Sequence, residues 1–447
     1  MAKVLVTDSI SERGILILEQ SHEVDVKTGL RPEDLKKIVS DYEGLVVRSE
    51  TKVTEEIIAA ANKLRVIARA GIGVDNIDVS AATNAGIAVI NAPTGNIIAA
   101  AEHTMGLIIS SARHIPQAAA SMRSGSWDRG DFMGIELKNK TLGIIGAGKV
   151  GSEVAKRAKS FEMNILAYDP FISSERASRL GMELVNMETL LGASDFVTIH
   201  TPYMASTENM LSKEQFDLMK NGSKLINVAR GELIDDDALL EALNSGKIST
   251  AALDVFRDEP NIDIRLSEHP SVISTPHLGG STAEAQEAVA MEAAEQMVDI
   301  LDGSFGKNIV NAPMLGPENQ SVISPMIPVA ELIGKLAIGL SEGQFRSVGL
   351  IYEGEISEYE TSVLKSAFLS GFIQGTTNEQ VNAINAPLIA SARGLEVSEQ
   401  KQRIEGEYSS LITAVLNTSQ GQLLLSGTSS RDEVHLVRFN EYWLDIV

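Results

Sequence analysis

Between residues 141 and 274, short apolar segments alternate with stretches that suit helices. The segments are Thr141–Ile145, Asn164–Tyr168, Phe196–His200, Lys224–Val228, Thr250–Val255 and Val272–Ser274. Each is apolar along almost its whole length, which is typical of parallel strands that helices cover on both faces. The pattern therefore predicts an α/β fold with a doubly wound, Rossmann-like parallel sheet.

The first 95 residues show the same alternation with shorter strands. The strand candidates there are Val4–Thr7, Val24–Val26, Gly44–Arg48, Val66–Ala70 and Ile87–Asn91. Stretches between them, such as Glu33–Ser40 and Glu55–Ala61, suit helices. This alternation predicts a second, smaller parallel α/β layer.

After Pro313 the composition changes. Pro317, Pro325 and Pro328 predict a linker. The strand candidates beyond it are separated by turns that allow antiparallel pairing: Val348–Tyr352, Leu411–Leu416, Gln422–Ser426, Val434–Phe439 and Glu441–Val447. We therefore expect a separate α+β domain over 317–447.

The composition excludes several kinds of function. There are 60 acidic residues and 38 Lys plus Arg, so the formal charge of −22 disfavours nucleic acids and anionic lipids as partners. The absence of cysteine excludes thiolate catalysis and cysteine-ligated metals. Since the N-terminus reads as a strand and no apolar run approaches about 20 residues, we expect a cytoplasmic protein outside membranes.

A glycine-rich turn follows the strand candidate Thr141–Ile145. Gly146, Gly148 and Gly151 have the Gly-x-Gly-x-x-Gly spacing and precede the helical stretch Ser152–Ser160. Such glycines permit a tight turn, a close approach of pyrophosphate and close packing of helix on strand. Asp169 ends the next strand, where a carboxylate can bind ribose hydroxyls and repel a 2′-phosphate. NAD is therefore the predicted cofactor, and no metal is expected.

Three polar residues lie at the ends of later strands: Arg230, Glu259 and His277. Taken alone, each is as easily a surface arginine, a solvated acidic loop or a histidine in a turn. At successive strand ends of one parallel sheet they would meet at a ligand site. The arginine would grip a substrate carboxylate, while the histidine exchanges a proton and the glutamate fixes its tautomer.

Two other histidines have weaker claims. His103, inside the helical stretch Ile97–Ser111, is interpreted as structural. His200, at a strand end, would line the cofactor groove or satisfy a hydrogen bond in the core.

Together these motifs resemble the D-2-hydroxyacid dehydrogenase family, over the whole chain and most specifically over about 44–316. The resemblance also rests on Val47–Thr54, Arg69–Asn76, Gly95-Asn96 and Phe132–Leu137. It implies that Arg230, Glu259 and His277 are catalytic. It also implies that NAD is bound near the glycines and Asp169 by Lys149, Val150, Thr201, Val228, Ala229, Asp254 and Gly279.

The resemblance also implies a domain organisation. A discontinuous lid of residues 1–95 plus 283–316 would form a cleft with an NAD-binding domain over 96–282. Residues 317–447 would be the intervening domain of the family's longer members, which precedes a regulatory ACT module. The sequence ends where that module would begin, so we expect no serine site. A homo-oligomer, dimer or tetramer, is expected from the resemblance alone.

The substrate prediction rests on cations in the lid. Arg48 and Arg69 stand at adjacent strand ends, where they could bind a phosphate or simply form surface ion pairs. With Gly71, Ile72, Asn96 and Arg230 they form the predicted substrate site for 3-phosphoglycerate, which would be oxidised to 3-phosphohydroxypyruvate in serine synthesis. The alternatives are a glyoxylate, hydroxypyruvate or lactate-type dehydrogenase of the same family, and a non-catalytic NAD-sensing regulator.

Overall fold

The computed structural model describes residues 1–303, 308–313, 319–377, 380–403, 408–431 and 433–447. The chain forms two compact units, Met1–Pro93 with Val289–Val447 and Thr94–Ala288. The predicted start of a third domain at residue 317 lies outside the described residues.

The five strands of residues 1–93 form one parallel sheet in the order β2-β1-β3-β4-β5. They are β1 (Lys3–Val6), β2 (Glu23–Val26), β3 (Gly44–Val47), β4 (Val66–Arg69) and β5 (Ala88–Asn91), with helices α1 (Glu12–Glu19), α2 (Pro32–Ile38), α3 (Glu55–Ala60) and α4 (Val79–Asn84). Successive residues of β1 enter different cores: Val4 and Val6 pack with Leu18 of α1, and Leu5 packs with Leu35 of α2. The sheet is therefore covered on both faces, which confirms the doubly wound prediction.

Seven parallel strands form the sheet of the unit Thr94–Ala288, in the order β12-β11-β10-β9-β6-β7-β8. The strands are β6 (Thr141–Ile145), β7 (Asn164–Tyr168), β8 (Glu183–Leu184), β9 (Phe196–Ile199), β10 (Ser223–Asn227), β11 (Ile248–Leu253) and β12 (Val272–Ser274). The helices are α5 (Ile97–Arg113), α6 (Ile115–Arg123), α7 (Lys149–Ser160), α8 (Ser174–Arg179), α9 (Met187–Ala193), α10 (Lys213–Leu218), α11 (Asp236–Asn244) and α12 (Ile264–Ser267). The strand order reverses between β6 and β9, and ligands bind at such switch points in open α/β sheets.

The C-terminal part has mixed α+β structure, as predicted. Helix α13 (Ala283–Leu301) packs against the five-stranded sheet, where its Ala293 and Met297 share a core with Val4 and Val6. In the C-terminal part, helices α14 (Gln320–Ile323), α15 (Met326–Leu340), α16 (Ser362–Gln374) and α17 (Ala386–Ala392) accompany strands β13 (Phe345–Gly354), β14 (Val397–Gln402), β15 (Ser410–Thr418), β16 (Gly421–Ser430), β17 (Glu433–Phe439) and β18 (Tyr442–Ile446). Their sheet has the order β14-β13-β15-β16-β17-β18, and only β13 and β14 pair in parallel. Short 3₁₀ helices occur at Val39–Asp41, Arg129–Phe132, Gly231–Leu233 and Glu355–Glu358.

The predicted proline-marked linker is wrong where the structure describes it. Pro325 is the N-cap of α15 and Pro328 is its third residue. Proline suits the first turn of a helix because the backbone N–H groups there have no partner within the helix. Pro317 lies outside the described residues.

By length and composition alone, Gln320–Leu340 could cross a membrane. Within it, however, Met326, Val329 and Ile333 are each at most 2% exposed and belong to the core of the C-terminal α+β part. A core helix of a globular domain has the same composition.

Candidate active site

The glycine turn after β6 is shaped by two close approaches of the backbone and one open position. Gly146 has φ +93°, and a Cβ there would lie 2.6 Å from the carbonyl oxygen of His200. A Cβ at Gly151 would lie 2.1 Å from the carbonyl oxygen of Gly146. A Cβ at Gly148, in contrast, would have no neighbouring atom within 4 Å, so the space beside Gly148 is open. Helix α7 begins at Lys149, three residues earlier than predicted, so its N-terminus adjoins that space. An open backbone beside a helix N-terminus fits a pyrophosphate.

Asp169 is tied to the glycine turn. One carboxylate oxygen accepts a hydrogen bond from Ala147 N at 2.9 Å, and the other accepts one from Phe171 N at 2.8 Å. Each oxygen has a further lone pair that can accept a ribose hydroxyl. The arrangement therefore fits the adenosine half of NAD, and the assigned role of Asp169 stays a prediction.

Residues 228–234, here called the Arg230 loop, follow β10. Asn227 is fully buried; its side chain donates to the Arg230 carbonyl at 2.8 Å and accepts from Ala229 N at 3.0 Å. The Arg230 guanidinium donates to the Ala229 carbonyl at 2.7 Å. Asn227 was not singled out from the sequence; its only signal there is a polar residue that ends an apolar strand.

Residues 254–260, the Glu259 loop, lie against residues 275–279, the His277 loop, and Glu259 forms a short contact with His277. Glu259 Oε2 lies 2.7 Å from His277 Nδ1, and Glu259 Oε1 accepts from Phe256 N at 2.9 Å. Burial acts to raise the pKa of Glu259, but these two hydrogen bonds and the nearby charge of Arg230 hold it below its usual value. The structure thus brings together the three predicted catalytic side chains.

Asp254, at the end of β11, organises the His277 loop from beneath. Its buried carboxylate accepts hydrogen bonds from Leu278 N and Gly279 N, both at 2.8 Å, and from the Thr275 hydroxyl at 2.5 Å. Burial acts to raise the pKa of Asp254, and the hydrogen bonds from His103 and the loop lower it below the usual value. The predicted contact of Asp254 with NAD stays a prediction, as does that of Gly279.

The two other histidines have structural contacts. His103 Nε2 lies 3.1 Å from both Asp254 Oδ1 and Thr275 Oγ1, so it braces the His277 loop from α5. His200 Nε2 lies 3.0 Å from the Thr198 hydroxyl, and burial lowers its pKa to about 4. A neutral His200 satisfying a core hydrogen bond matches the second of its two predicted roles.

In the other unit, Arg48 and Arg69 lie at neighbouring strand ends of the five-stranded sheet, where Arg69 is paired with Val47. Asp8 is 2% exposed and accepts hydrogen bonds from Arg48 N at 2.6 Å, Glu50 N at 3.2 Å and Thr51 N at 3.1 Å. Its other oxygen binds the Thr51 hydroxyl. Asp8 therefore fixes the loop that carries Arg48, a role that the sequence alone did not indicate.

Two predicted substrate residues have unusual surroundings. A Cβ at Gly71 would lie 2.1 Å from the Arg69 guanidinium, so glycine gives this side chain room to fold over the loop. In the unit Thr94–Ala288, Asn96 Oδ1 is buried and has no hydrogen-bond partner among the described residues. An unsatisfied acceptor of this kind suits a ligand donor. No group of three or more potential metal ligands occurs in the described part of the chain.

Two family profiles match this chain. Residues 105–279 match the D-isomer specific 2-hydroxyacid dehydrogenase NAD binding domain, and residues 322–440 match the D-3-phosphoglycerate dehydrogenase intervening domain.

Similar curated proteins cover nearly the whole chain. The D-3-phosphoglycerate dehydrogenase of Methanocaldococcus jannaschii is 44% identical over 100% of this chain and 85% of its own length. The human D-3-phosphoglycerate dehydrogenase is 42% identical over 89% of this chain and 75% of its own. Among solved structures, the D-lactate dehydrogenase of Aquifex aeolicus, complexed with NAD and lactic acid, has a TM-score of 0.62 at 28% identity, covering 69% of this chain and 99% of that one.

Proposed function

The chain belongs to the D-3-phosphoglycerate dehydrogenases within the D-isomer specific 2-hydroxyacid dehydrogenase family, and from that membership we propose that it oxidises 3-phosphoglycerate to 3-phosphohydroxypyruvate with NAD. This is the first step of phosphorylated serine biosynthesis. The observation that carries the proposal is the Glu259–His277 contact of 2.7 Å beside Arg230, in a unit that contains the matched NAD-binding domain.

The proton is handled by His277. Because Glu259 accepts the hydrogen bond from Nδ1–H, the lone pair of Nε2 is left to take the substrate hydroxyl proton. NAD, when bound, accepts the hydride that leaves the carbon bearing this hydroxyl, and the C–O bond of that carbon becomes a carbonyl. Glu259 stabilises the resulting imidazolium, which returns the proton in the reverse direction.

Arg230 orients the substrate by binding its carboxylate. A guanidinium can bind both oxygens of a carboxylate in parallel, which fixes the reacting carbon as well as the charge. Asn227 and Ala229 define the turn that presents Arg230, so its direction is set by backbone contacts.

An NADH assay with 3-phosphoglycerate and 3-phosphohydroxypyruvate tests the proposal. His277→Gln should lower kcat by about 10²- to 10⁴-fold, because the proton acceptor is lost. Its NAD affinity should stay within about twofold, since none of the glycine-turn contacts changes. Lack of turnover by the wild type with either acid, or near-normal kcat in the variant, would contradict the proposal.

The phosphate is assigned to Arg48 and Arg69. Arg48→Met and Arg69→Met should each raise the KM for 3-phosphoglycerate by about tenfold or more, because each removes a charge-assisted hydrogen bond to phosphate. The KM for an unphosphorylated 2-hydroxy acid should change less than about threefold by the same argument. Equal effects on both substrates would instead favour a dehydrogenase for unphosphorylated acids.

We also assign the enzyme to the cytoplasm as a homo-oligomer, a dimer or tetramer. Light scattering on the purified full chain measures the assembly directly, and a monomer at assay concentration would contradict it.

A further inference from the structure

Arg257 lies in the Glu259 loop, two residues before Glu259, and its side chain contacts other strand-end loops. One guanidinium nitrogen donates to Asn209 Oδ1 at 2.6 Å, to the Ile234 carbonyl at 3.3 Å and to the Glu232 carbonyl at 3.5 Å. The other nitrogen lies 3.6 Å from Glu208 Oε1. The side chain is 31% exposed, so most of it is held among these acceptors.

Two of those acceptors belong to the Arg230 loop. The Glu232 and Ile234 carbonyls follow Arg230 by two and four residues. Backbone bonds from Asn209 N to the Glu232 carbonyl at 2.9 Å and from Leu211 N to the Leu233 carbonyl at 3.1 Å join the same loop to residues 208–211. Arg257 therefore contacts both the Arg230 loop and the segment 208–211 that pairs with it.

The Arg230 and Glu259 loops also touch directly. Gly231 is buried, and a Cβ there would lie 2.1 Å from the carbonyl carbon of Phe256 and 2.4 Å from Arg257 N. The N–H of Phe256 in turn holds Glu259, whose other oxygen holds His277. The packing of residues 256–257 against the Arg230 loop therefore fixes the position of Glu259 relative to Arg230.

We propose that Arg257 is a positioning residue, which clamps the Glu259 loop to the Arg230 loop and so keeps the proton acceptor and the carboxylate-binding arginine at one spacing. The inference rests on the proposed function, because that spacing matters only if both groups act on one substrate. Hydride transfer tolerates little error in such spacing, since the reacting groups must be held close to one geometry.

The chain offers a matched control for Arg257. Arg265, in the same unit, also pairs with acidic side chains, Asp237 at 3.0 Å and Asp263 at 2.5 Å, but it is 59% exposed. Arg257→Met should lower kcat/KM for 3-phosphoglycerate by about 10- to 100-fold, mainly through kcat, as expected for a residue that orients catalytic groups. Arg265→Met should change kcat/KM less than about twofold, and both variants should keep the NAD affinity of the wild type.

Two further variants separate clamping from charge or folding. Arg257→Lys keeps the positive charge but lacks the planar fork, so it should lose nearly as much kcat as Arg257→Met. Asn209→Gly removes the nearest acceptor at a position with φ +50°, which glycine adopts without strain. It should also lower kcat, to a smaller extent. Wild-type kcat in Arg257→Lys, or losses that only follow the amount of folded protein, would overturn the proposal.

A readout without turnover distinguishes this inference from the proposed function. In proton NMR, the Nδ1–H of His277 in its bond to Glu259 should give a downfield resonance in the wild type that broadens or disappears in Arg257→Met and persists in Arg265→Met. If this pattern appears but the wild type oxidises no 3-phosphoglycerate, the substrate assignment fails and the clamp stands. If the resonance is unchanged in Arg257→Met, the clamp fails whatever the substrate.

Discussion

Two buried aspartates, one in each compact unit, stand after a parallel strand and bind the backbone of a neighbouring loop. Asp8 follows β1 and accepts the N–H groups of Arg48, Glu50 and Thr51. Asp254 follows β11 and accepts those of Leu278 and Gly279. In both cases a carboxylate with its charge buried is stabilised by several donors, and in return it fixes the loop.

The two loops differ in what they carry. The loop on Asp8 presents Arg48, whose proposed role is to bind phosphate, whereas the loop on Asp254 presents His277, whose proposed role is to move the proton. Asp254 also contacts His103 of helix α5, so the His277 loop is braced from a second element. Under these proposed roles, the same type of contact supports binding in one sheet and chemistry in the other, which predicts different kinetic effects when each aspartate is changed.

Asp254→Asn should have the largest effect. The asparagine amide has one acceptor oxygen where the Asp254 carboxylate has two. Its NH₂ group would therefore face the N–H of Leu278 or Gly279, and the His277 loop should lose its conformation. We expect kcat/KM to fall by about 100-fold and the free energy of unfolding to fall by about 2–3 kcal/mol. Steady-state kinetics and urea unfolding measure both, with Asp237→Asn, 78% exposed in the same unit, as the control. A stability loss with kcat/KM within threefold of the wild type would show that the loop does not need Asp254.

Asp8→Asn should act on binding instead. Loosening the Arg48 loop should raise the KM for 3-phosphoglycerate by about tenfold while kcat stays within about threefold, because the loss of about 1.4 kcal/mol falls on a remote group. The same assay with Asp41→Asn, an exposed aspartate of the same unit, provides the control. If Asp8→Asn lowered kcat as strongly as Asp254→Asn, the contrast between the two loops would be wrong.

The sequence was sufficient for most strands of the two parallel sheets because strand periodicity is local. The predicted strands of both parallel sheets lie within about two residues of the observed ones, and the strand-end rule placed Arg230, Glu259 and His277 in one region. Strands β8 and β14 escaped prediction. Strand β8 has only two residues, and Val397–Gln402 is a largely exposed, polar edge strand with a single apolar residue.

The supporting contacts could not be predicted in the same way. Asp8 binds backbone groups 40 to 43 residues away, and Arg257 reaches Asn209 across 48 residues. No periodicity encodes such pairs, since they depend on how loops from different strand ends pack. The sequence therefore indicates which polar side chains lie at strand ends better than it indicates the contacts that hold those side chains in place.

A third aspartate, Asp236, is partly buried, and its surroundings differ from those of Asp8 and Asp254. Asp236 begins α11 and is half-buried, but no hydrogen bond to its carboxylate is found in the described part of the chain. Burial raises its pKa to about 6 from an ordinary 3.8, and the charge of Arg257 offsets only part of this. Asp254, with its donors, has its pKa lowered despite deeper burial.

Asp236 should therefore destabilise the fold at neutral pH. Because the pKa of Asp236 is higher in the folded state than in the unfolded state, ionisation of its carboxyl lowers the free energy of unfolding. This destabilisation is complete above about pH 6 and disappears as the pH falls below 3.8. Asp236→Asn should raise the free energy of unfolding at pH 8 by about 1–2 kcal/mol, allowing for solvent screening. Urea unfolding at pH 8, 6 and 4 should show the gain shrinking toward zero. The exposed Asp237→Asn should show no such trend, and a gain independent of pH would mean that burial of the charge is not its cause.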